Sequence, residues 1–215
     1  MGLVDRYQNE VAKLLERVQS SQKDNIDIAG AIVARAAENK KKIYFDSIVH
    51  GIEKDLINRG GGPTFYRYYK EGITVPEKDD VLFVSSVSGC TQRVLDLAYE
   101  NMQKGVHVIA FTSMEYAEKA CVFPSSGKKL HEIAELTIDN CAPAGEAMMT
   151  VDGIEAKFAA ASGISSDYLL WSITARAIEI LLHDGYAPGI LKSQNYRSGK
   201  EYNDILWERY EKTGL

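Results

Sequence analysis

Hydrophobic side chains recur at three- and four-residue steps through the first part of the chain. An initial stretch places six apolar residues on one face: Val4, Tyr7, Val11, Leu14, Leu15 and Val18. A second stretch of the same kind runs from Ile26 to Ala37, after a polar break at residues 20–24. This spacing is typical of amphipathic helices. We therefore predict a helical pair over residues 1–40, whose apolar faces pack against the sheet, another subunit or both.

Short apolar runs of the β type follow the helical pair. They are Ile43–Phe45, Val81–Val84, His107–Phe111 and Leu136–Ile138. The second and third runs are almost continuously apolar, as in parallel strands that are covered on both faces. Residues 91–104 between them carry a helical pattern that ends at Gly105. Strand, helix and strand within about 30 residues predict a βαβ unit with a right-handed crossover.

Two more helices are predicted in the last third of the chain, one over about Ser166–Leu182 and one over about Glu201–Lys212. No internal repeat or low-complexity linker divides the sequence, so we predict a single domain over residues 1–215. Within it we expect the helical pair at 1–40, an α/β core at 41–185 and a C-terminal tail with a helix at 186–215.

Composition and charge exclude several classes of partner. The formal net charge of −5 disfavours a nucleic-acid partner, and the basic cluster Lys40–Lys42 fits a solvated start of a strand. No apolar run approaches the roughly 20 residues of a membrane span, so we expect no membrane partner. The three cysteines, Cys90, Cys121 and Cys141, are odd in number and widely spaced. They indicate neither a disulfide framework nor a zinc site, and a cytoplasmic location is expected.

The chemically most informative segment is a serine-rich turn at residues 85–91, with the sequence SSVSGCT. It follows a predicted strand and precedes a helix, which is where α/β sheets bind ligands. The helix N-terminus offers unpaired N–H groups to an anion. Ser86, Ser88 and Thr91 add hydroxyl groups, and Gly89 permits close approach of the backbone. The alternative is a simple helix cap; the position at the head of a βαβ unit favours an anion site.

Several strings carry a resemblance to one family. The turn at 86–91, the helix ending at Gly105 and the strand ending at Thr112–Ser113 resemble the central signature of sugar-isomerase (SIS) domain proteins. Strings at 125–130, 138–141, 193–195 and 199–203 are similar to a subgroup related to the phosphoheptose isomerases, many of which are described only as uncharacterised SIS proteins. The resemblance spans about Ile43 to Asn203.

The resemblance implies an α/β fold, a three-layer sandwich with a five-stranded parallel, flavodoxin-like sheet. It also implies a homo-oligomer, dimer or tetramer, with the active site at the subunit interface. In SIS proteins the hydroxyls of the serine-rich loop hold the phosphate of a sugar phosphate, which here implicates Ser86, Ser88 and Thr91 around Gly89. The aromatic run at 65–69 lies where the subgroup has a longer insertion, and we interpret it as packing over a shortened loop.

The sequence departs from the family pattern after the first strand. SIS phosphate sites have a second wall there, a glycine-rich turn with a serine near its end, whereas residues 45–49 read FDSIV. A β-branched residue such as Val49 does not readily take the positive φ that glycine permits. We therefore expect a different backbone geometry in this wall, with Ser47 as its remaining hydroxyl.

Isomerisation needs a base that takes a proton from the carbon next to a carbonyl, and a donor that protonates the enediolate. The family match places Asp55 where such isomerases carry a glutamate, one methylene longer, and His50 near the start of the same helix. Glu146, in the loop after the fourth strand, is the other candidate carboxylate. The alternatives are a solvated helix charge for Asp55, a surface imidazole for His50 and an exposed loop acid for Glu146.

Two further features complete the expected site. The small residues at 160–166 include Ser162, which we predict contacts the sugar or the neighbouring subunit unless it is a plain helix cap. His50 and Asp55 are also alternative ligands for a divalent metal, as histidines are in some phosphoheptose isomerases. The sequence has no second histidine close to them, so we expect no metal and no cofactor.

Three functions remain open on these residues. The first is a phosphosugar isomerase that works through an enediolate, with Asp55 or Glu146 as base and His50 assisting. The second is a regulatory protein that binds a sugar phosphate without chemistry. The third is a lyase or etherase of the SIS type that acts on an amino-sugar phosphate.

Overall fold

The computed structural model describes residues 2–120 and 127–215, so Cys121 and the predicted string at Ser125–Ser126 lie outside the described residues. The α-helices are α1 Leu3–Ser21, α2 Lys23–Glu38, α3 Gln92–Gln103, α4 Met114–Lys119, α5 Ser162–His183 and α6 Gly199–Thr213. The strands are β1 Ile43–Phe45, β2 Tyr66–Tyr68, β3 Val81–Ser85, β4 His107–Thr112, β5 Leu136–Asp139, β6 Ala147–Val151 and β7 Ile154–Ala160. Short 3-10 helices span Val49–Asp55 and Leu130–Glu132.

The central sheet has five parallel strands in the order β2-β1-β3-β4-β5. Val81 at the start of β3 pairs with Ile43 of β1 on one side and with His107 of β4 on the other. The predicted α/β class with a five-stranded parallel sheet is confirmed. Since parallel strands all point the same way, the loops after β1, β3, β4 and β5 meet at one edge.

Alternate strand residues face two different helical layers. Phe45, Phe83 and Phe111 belong to the larger core, together with buried residues of α1, α2 and α5. Leu82 and Val84 belong to the second core, which α3 and Leu130 cover. Side chains in a strand alternate between faces, so a sheet with apolar residues at successive positions requires helices on both sides. The result is the expected three-layer sandwich.

An aromatic row crosses the sheet under the larger helical layer. The Phe45 and Phe83 rings stack 4.4 Å apart, and Tyr66 meets Phe45 edge-on at 4.8 Å. Phe111 lies 6.2 Å from Phe83. The Tyr66 hydroxyl is 3.0 Å from Thr174 Oγ1 on α5, and burial raises the pKa of this phenol. These contacts join four adjacent strands to the long helix.

The interpretation of residues 65–69 as loop packing is wrong, because Tyr66–Tyr68 forms the edge strand β2. Its three residues are too few for a periodic pattern, and the burial of Tyr66 decides the matter. Helix α5 also starts at Ser162, four residues before the predicted start at Ser166. Ser and Gly have modest helix propensity, but Ser162 and Ser165 are fully buried, so packing overrides propensity.

Strands β6 and β7 form a separate antiparallel hairpin that we did not predict. The signal is present as Asp152–Gly153, a turn pair typical of hairpins, between two β-type runs. Most of β7 is solvent-exposed, including Phe158 at 41%. The Arg6 guanidinium of α1 donates to the Thr150 carbonyl at 2.7 Å, which links the hairpin to the body.

A membrane crossing requires a long apolar helix, and among the helices of the described residues none meets that requirement.

Replacement of Phe83 by alanine tests the aromatic row. Phe83 is fully buried and contacts rings on both neighbouring strands, so Phe83→Ala is expected to lower the free energy of unfolding by about 3–5 kcal/mol. Urea denaturation measures the change. Tyr196→Ala is the control, since Tyr196 is 73% exposed and its loss is expected to change stability by about 0.5 kcal/mol or less. Equal losses in the two variants would contradict this account of the core.

Candidate functional site

The serine-rich turn closes on itself between β3 and α3. The Ser86 N–H donates to the Phe111 carbonyl at 3.1 Å, and the Gly89 N–H donates to the Ser86 carbonyl at 2.9 Å. Ser86 Oγ lies 2.9 Å from Thr91 Oγ1 and accepts from the Thr91 N–H at 3.2 Å. The two outer hydroxyls of the turn are therefore tied to each other, and the turn has one defined shape.

Neighbouring elements fix the turn from behind. Gly89 has φ +69°, and a Cβ at this position would lie 3.3 Å from Ala117 Cβ. The Leu130 N–H donates to the Gly89 carbonyl at 2.9 Å, and the Ser113 N–H donates to the Val87 carbonyl at 3.0 Å. Only glycine takes this conformation and this close approach without strain. Gly89 thus shapes the turn but does not line the cavity described below.

The turn keeps donors for an anion. Within residues 2–120 and 127–215, the backbone N–H groups of Val87 and Ser88 donate to no described residue. The first N–H groups of α3 add the positive end of a helix dipole. Ser88 is partly exposed and Thr91 is exposed. These groups suit a phosphate without a lysine.

An open cavity of about 270 Å³ lies in front of the turn. Its walls come from the segment after β1, the serine-rich turn, α4 and the segment after β5. The lining residues are Ser47, Val49, His50, Ser85, Ser86, Val87, Ser88, Thr91, Tyr116 and Glu146. Six of the predicted site residues therefore meet in one cavity, although four chain segments supply its walls.

The segment after β1 takes the conformation that we expected valine to resist. Val49, His50 and Gly51 have φ values of 32°, 61° and 94°. Left-handed backbone costs of order 1–3 kcal/mol at a residue other than glycine and persists only where the surroundings impose it. Here Val49 is buried, and the Ile48 N–H donates to Glu53 Oε2 at 2.9 Å. The expectation about Val49 is therefore wrong: tertiary contacts impose the positive φ.

Glu146 is held at the base of the hairpin with its carboxylate at the cavity. Its backbone is left-handed, with φ 67°. Its carbonyl accepts from the Ala161 N–H at 3.0 Å, and its N–H donates to the Pro143 carbonyl at 2.8 Å. Oε2 accepts from the Ser162 hydroxyl at 2.9 Å and lies 3.8 Å from His50 Nε2. A carboxylate and an imidazole thus face the same space as the serine-rich turn.

Three predicted site residues lie outside the cavity lining, namely Gly89, described above, Asp55 and Ser162. The Asp55 carboxylate pairs with Arg59 and is 54% exposed. The left-handed backbone at 49–51 interrupts the helix that was expected to carry both His50 and Asp55. The position of Asp55 relative to His50 therefore differs from that in a regular helix. Ser162 is fully buried and its hydroxyl donates to Glu146, so the expected contact with a sugar is replaced by a contact with the candidate base.

The metal alternative finds no support in this arrangement, since His50 faces Glu146 and Asp55 faces Arg59. In the part of the chain that the structure describes, no group of three or more His, Cys, Asp or Glu side chains is arranged to hold a metal ion.

Two functional features were missed by sequence reasoning. Tyr116 of α4 lines the cavity, and its N–H donates to the Ser113 hydroxyl at 3.0 Å. Ser113 directly follows β4 and is a typical N-cap residue, so the sequence contained a signal for the start of the helix that carries Tyr116.

The second feature is Asp46, which is buried after β1 and accepts two hydrogen bonds from Arg93 of α3, at 2.6 and 3.3 Å. This contact raises the pKa of Arg93 and joins the first wall of the cavity to the helix after the serine-rich turn.

No protein-family model matches the sequence. The chain is nevertheless similar over nearly its whole length to UPF0309 proteins. It is 28% identical to one from Shouchella clausii over an alignment of 240 positions that covers 98% of each chain. It is 27% identical to one from Oceanobacillus iheyensis, again with 98% of each chain covered.

Solved structures identify the fold. The phosphoheptose isomerase GmhA of Neisseria gonorrhoeae matches with a TM-score of 0.56, at 13% identity over 82% of this chain and 96% of that one. A phosphoheptose isomerase from Francisella tularensis matches with a TM-score of 0.53, at 14% identity over 82% of this chain and 97% of that one. The sugar isomerase domain of an RpiR transcription factor from Sphaerobacter thermophilus matches with a TM-score of 0.52, at 12% identity over 99% of both chains. The chain therefore has the fold of the SIS-domain sugar isomerases.

Proposed function

We propose that the chain is a phosphosugar isomerase, which moves a proton between adjacent carbons of a sugar phosphate through an enediolate. The observation that carries the proposal is the position of Glu146, whose carboxylate faces the cavity in front of the serine-rich turn. An anion site and a base that line the same small cavity are what this chemistry needs.

The phosphate is proposed to bind at the serine-rich turn. Ser88 supplies a hydroxyl, Val87 and Ser88 supply backbone N–H groups, and α3 supplies the positive end of its dipole. Ser47 faces the same cavity from the first wall. Ser86 and Thr91 hold each other at 2.9 Å and complete the cradle. The sugar then extends toward Glu146 and His50.

Glu146 is proposed as the base that removes the proton from the carbon next to the carbonyl. The same carboxyl group returns the proton to the adjacent carbon, so its own charge is restored after each turnover. His50, with Nε2 at 3.8 Å from Glu146 Oε2, is proposed to donate a proton to the carbonyl oxygen of the substrate. It then takes a proton from the hydroxyl on the adjacent carbon, so that the new carbonyl forms and His50 also returns to its starting state. Asp55 is not assigned a role, because it lies outside the cavity lining and pairs with Arg59.

A second candidate is a regulatory protein that binds a sugar phosphate without turning it over. This alternative is motivated by the match to the sugar isomerase domain of the RpiR transcription factor over 99% of both chains. The Vibrio vulnificus NanR protein, solved with ManNAc-6P, shares the fold with a TM-score of 0.52. Fold similarity of this kind is an analogy and does not choose between binding and catalysis. The placement of Glu146 favours catalysis.

We also propose that the protein is a homo-oligomer. The hairpin exposes Ile154 and Phe158 by 58% and 41%, and the first turns of α1 expose Leu3 and Val4 by 45% and 69%. A two-stranded hairpin is marginally stable in water without a surface to cover it. We propose that a second copy covers this face; Glu146 lies at the base of the same hairpin.

The assembly prediction concerns the hairpin face. The wild-type protein is expected to sediment as a dimer or larger species, and Ile154→Glu with Phe158→Glu is expected to reduce it to a monomer, because buried charge opposes association. Sedimentation equilibrium measures the mass. Ile205→Glu, at a residue of α6 that is 67% exposed, is the matched control. A wild-type monomer at micromolar concentration would contradict the proposal.

The binding prediction concerns Ser88. A panel of hexose, heptose and amino-sugar phosphates is expected to include a ligand that raises the melting temperature. Ser88→Ala is expected to weaken its affinity about 10-fold or more, because a hydrogen bond to a charged group is lost. Ser20→Ala on α1 is the control. Ser86 is less suitable, since its hydroxyl also holds the turn. The anion site is refuted if no phosphate shifts the melting temperature.

The catalytic prediction concerns Glu146. NMR in heavy water is expected to show proton exchange at carbon 2 of the bound sugar phosphate, and Glu146→Gln is expected to slow it by about 100-fold or more. Asp55→Asn is expected to retain exchange. Binding without exchange in the wild type would establish the regulatory alternative. Exchange lost in Asp55→Asn but kept in Glu146→Gln would reverse the assignment of the base.

A further inference from the structure

We propose that Ser162 is a positioning residue for the reaction, which acts by fixing the carboxylate of Glu146 and does not touch the substrate. This inference rests on the proposed function for its catalytic consequence. Its geometric part stands independently, because it concerns one hydrogen bond between two side chains of the chain itself.

The contact joins a buried hydroxyl to an accessible carboxylate. Ser162 is 0% exposed and is the first residue of α5. Its Oγ donates to Glu146 Oε2 at 2.9 Å. In the described part of the chain, Oε1 of Glu146 accepts no hydrogen bond. One carboxylate oxygen is therefore anchored to the body of the protein, and the other is available to the cavity that Glu146 lines.

The backbone reinforces the same contact. Glu146 accepts from the N–H of Ala161, the residue next to Ser162, at 3.0 Å. Main chain and side chain of Glu146 are thus both tied to the start of α5. Helix α5 packs along α2 and the 3-10 segment that carries His50. The carboxylate is consequently held relative to His50 by a helix that packs against both the body of the fold and the segment of His50.

A purely structural role for the Ser162 hydroxyl is the competing explanation. Serine near a helix start usually caps the backbone, but the N-cap of α5 is Ala161 and no side-chain cap is formed. Ser165, one turn later, donates instead to backbone carbonyls, that of Ala161 at 3.2 Å and that of Ser162 at 3.4 Å. Ser165 is equally buried. The two serines therefore differ in their partners: the Ser165 hydroxyl binds the backbone of the helix, and the Ser162 hydroxyl binds the carboxylate of Glu146.

The expected kinetic effect lies in kcat. Without the hydrogen bond the carboxylate samples orientations in which neither oxygen reaches the substrate carbon, and small misplacements of a catalytic group are costly. Phosphate binding at residues 86–91 does not involve Ser162. Ser162→Ala is expected to lower kcat about 10-fold or more with KM changed about 2-fold or less.

The test compares four variants of the full chain: Ser162→Ala, Ser162→Cys, Ser162→Thr and the matched control Ser165→Ala. Cysteine is close to serine in size but is a weak donor, so Ser162→Cys is expected to behave like Ser162→Ala. Threonine keeps the hydroxyl, so Ser162→Thr is expected to recover most of the rate. Ser165→Ala is expected to keep the wild-type kcat, and thermal unfolding shows whether each variant is folded.

A second readout does not depend on turnover. In protein with ¹³C-labelled glutamate, the carboxyl signal of Glu146 is assigned by its absence in Glu146→Gln. This signal is expected to move in Ser162→Ala and Ser162→Cys, and to stay in place in Ser165→Ala. If the wild type shows no isomerisation but the signal still moves in Ser162→Ala, the proposed function is refuted. The hydrogen bond between Ser162 and Glu146 is then still supported. A signal that does not move, or a wild-type kcat in Ser162→Cys, overturns the inference.

Discussion

The parallel sheet with both faces buried is the constraint on which the rest of the structure depends. Its centre is the ring of Phe83, stacked on Phe45 at 4.4 Å and near Phe111 at 6.2 Å, so three strands are held in one register. A shift of one residue would send each apolar side chain to the other face. Because the register is fixed, the carboxyl ends of β1, β3, β4 and β5 lie at one edge, and the cavity forms between the loops that follow them.

The site that this edge produces is built mainly from neutral donors. The lining residues in the described ranges include no lysine or arginine. Arg93 of α3 is paired with buried Asp46. Such a site would hold an anion by hydroxyls, N–H groups and a helix dipole. Because no described lysine or arginine lines it, no fixed cation compensates the charge of Glu146. The structure instead gives that carboxylate the hydroxyl of Ser162 and the nearby imidazole of His50. In the proposed function, this arrangement separates the group that binds the phosphate from the groups that transfer the proton.

Part of the backbone strain of the described residues lies at the same edge. Val49, His50 and Glu146 all adopt positive φ, and all three line the cavity. Each is imposed by contacts behind it: burial of Val49, the Ile48–Glu53 hydrogen bond, and the pairing of Glu146 with Ala161. Strained residues of this kind cluster at functional sites, where the surrounding fold holds them in place. The rigid three-layer body is therefore what keeps the imidazole and the carboxylate facing one another.

The sequence alone determined the elements with clear periodicity, namely the helical pair, the apolar strands, the βαβ unit and the serine-rich turn, since local pattern suffices for these. It also indicated Ser86, Ser88, Thr91 and Glu146 as candidate site residues, because turns after parallel strands share an edge. His50 was indicated by the family resemblance. Only the tertiary structure decided what depends on distant contacts. Burial made Tyr66–Tyr68 a strand, packing imposed the left-handed backbone of Val49, and the interruption at 49–51 left Asp55 paired with Arg59. The partner of Ser162 was likewise decided there, because Glu146 is 16 residues away in the chain but 2.9 Å away in space.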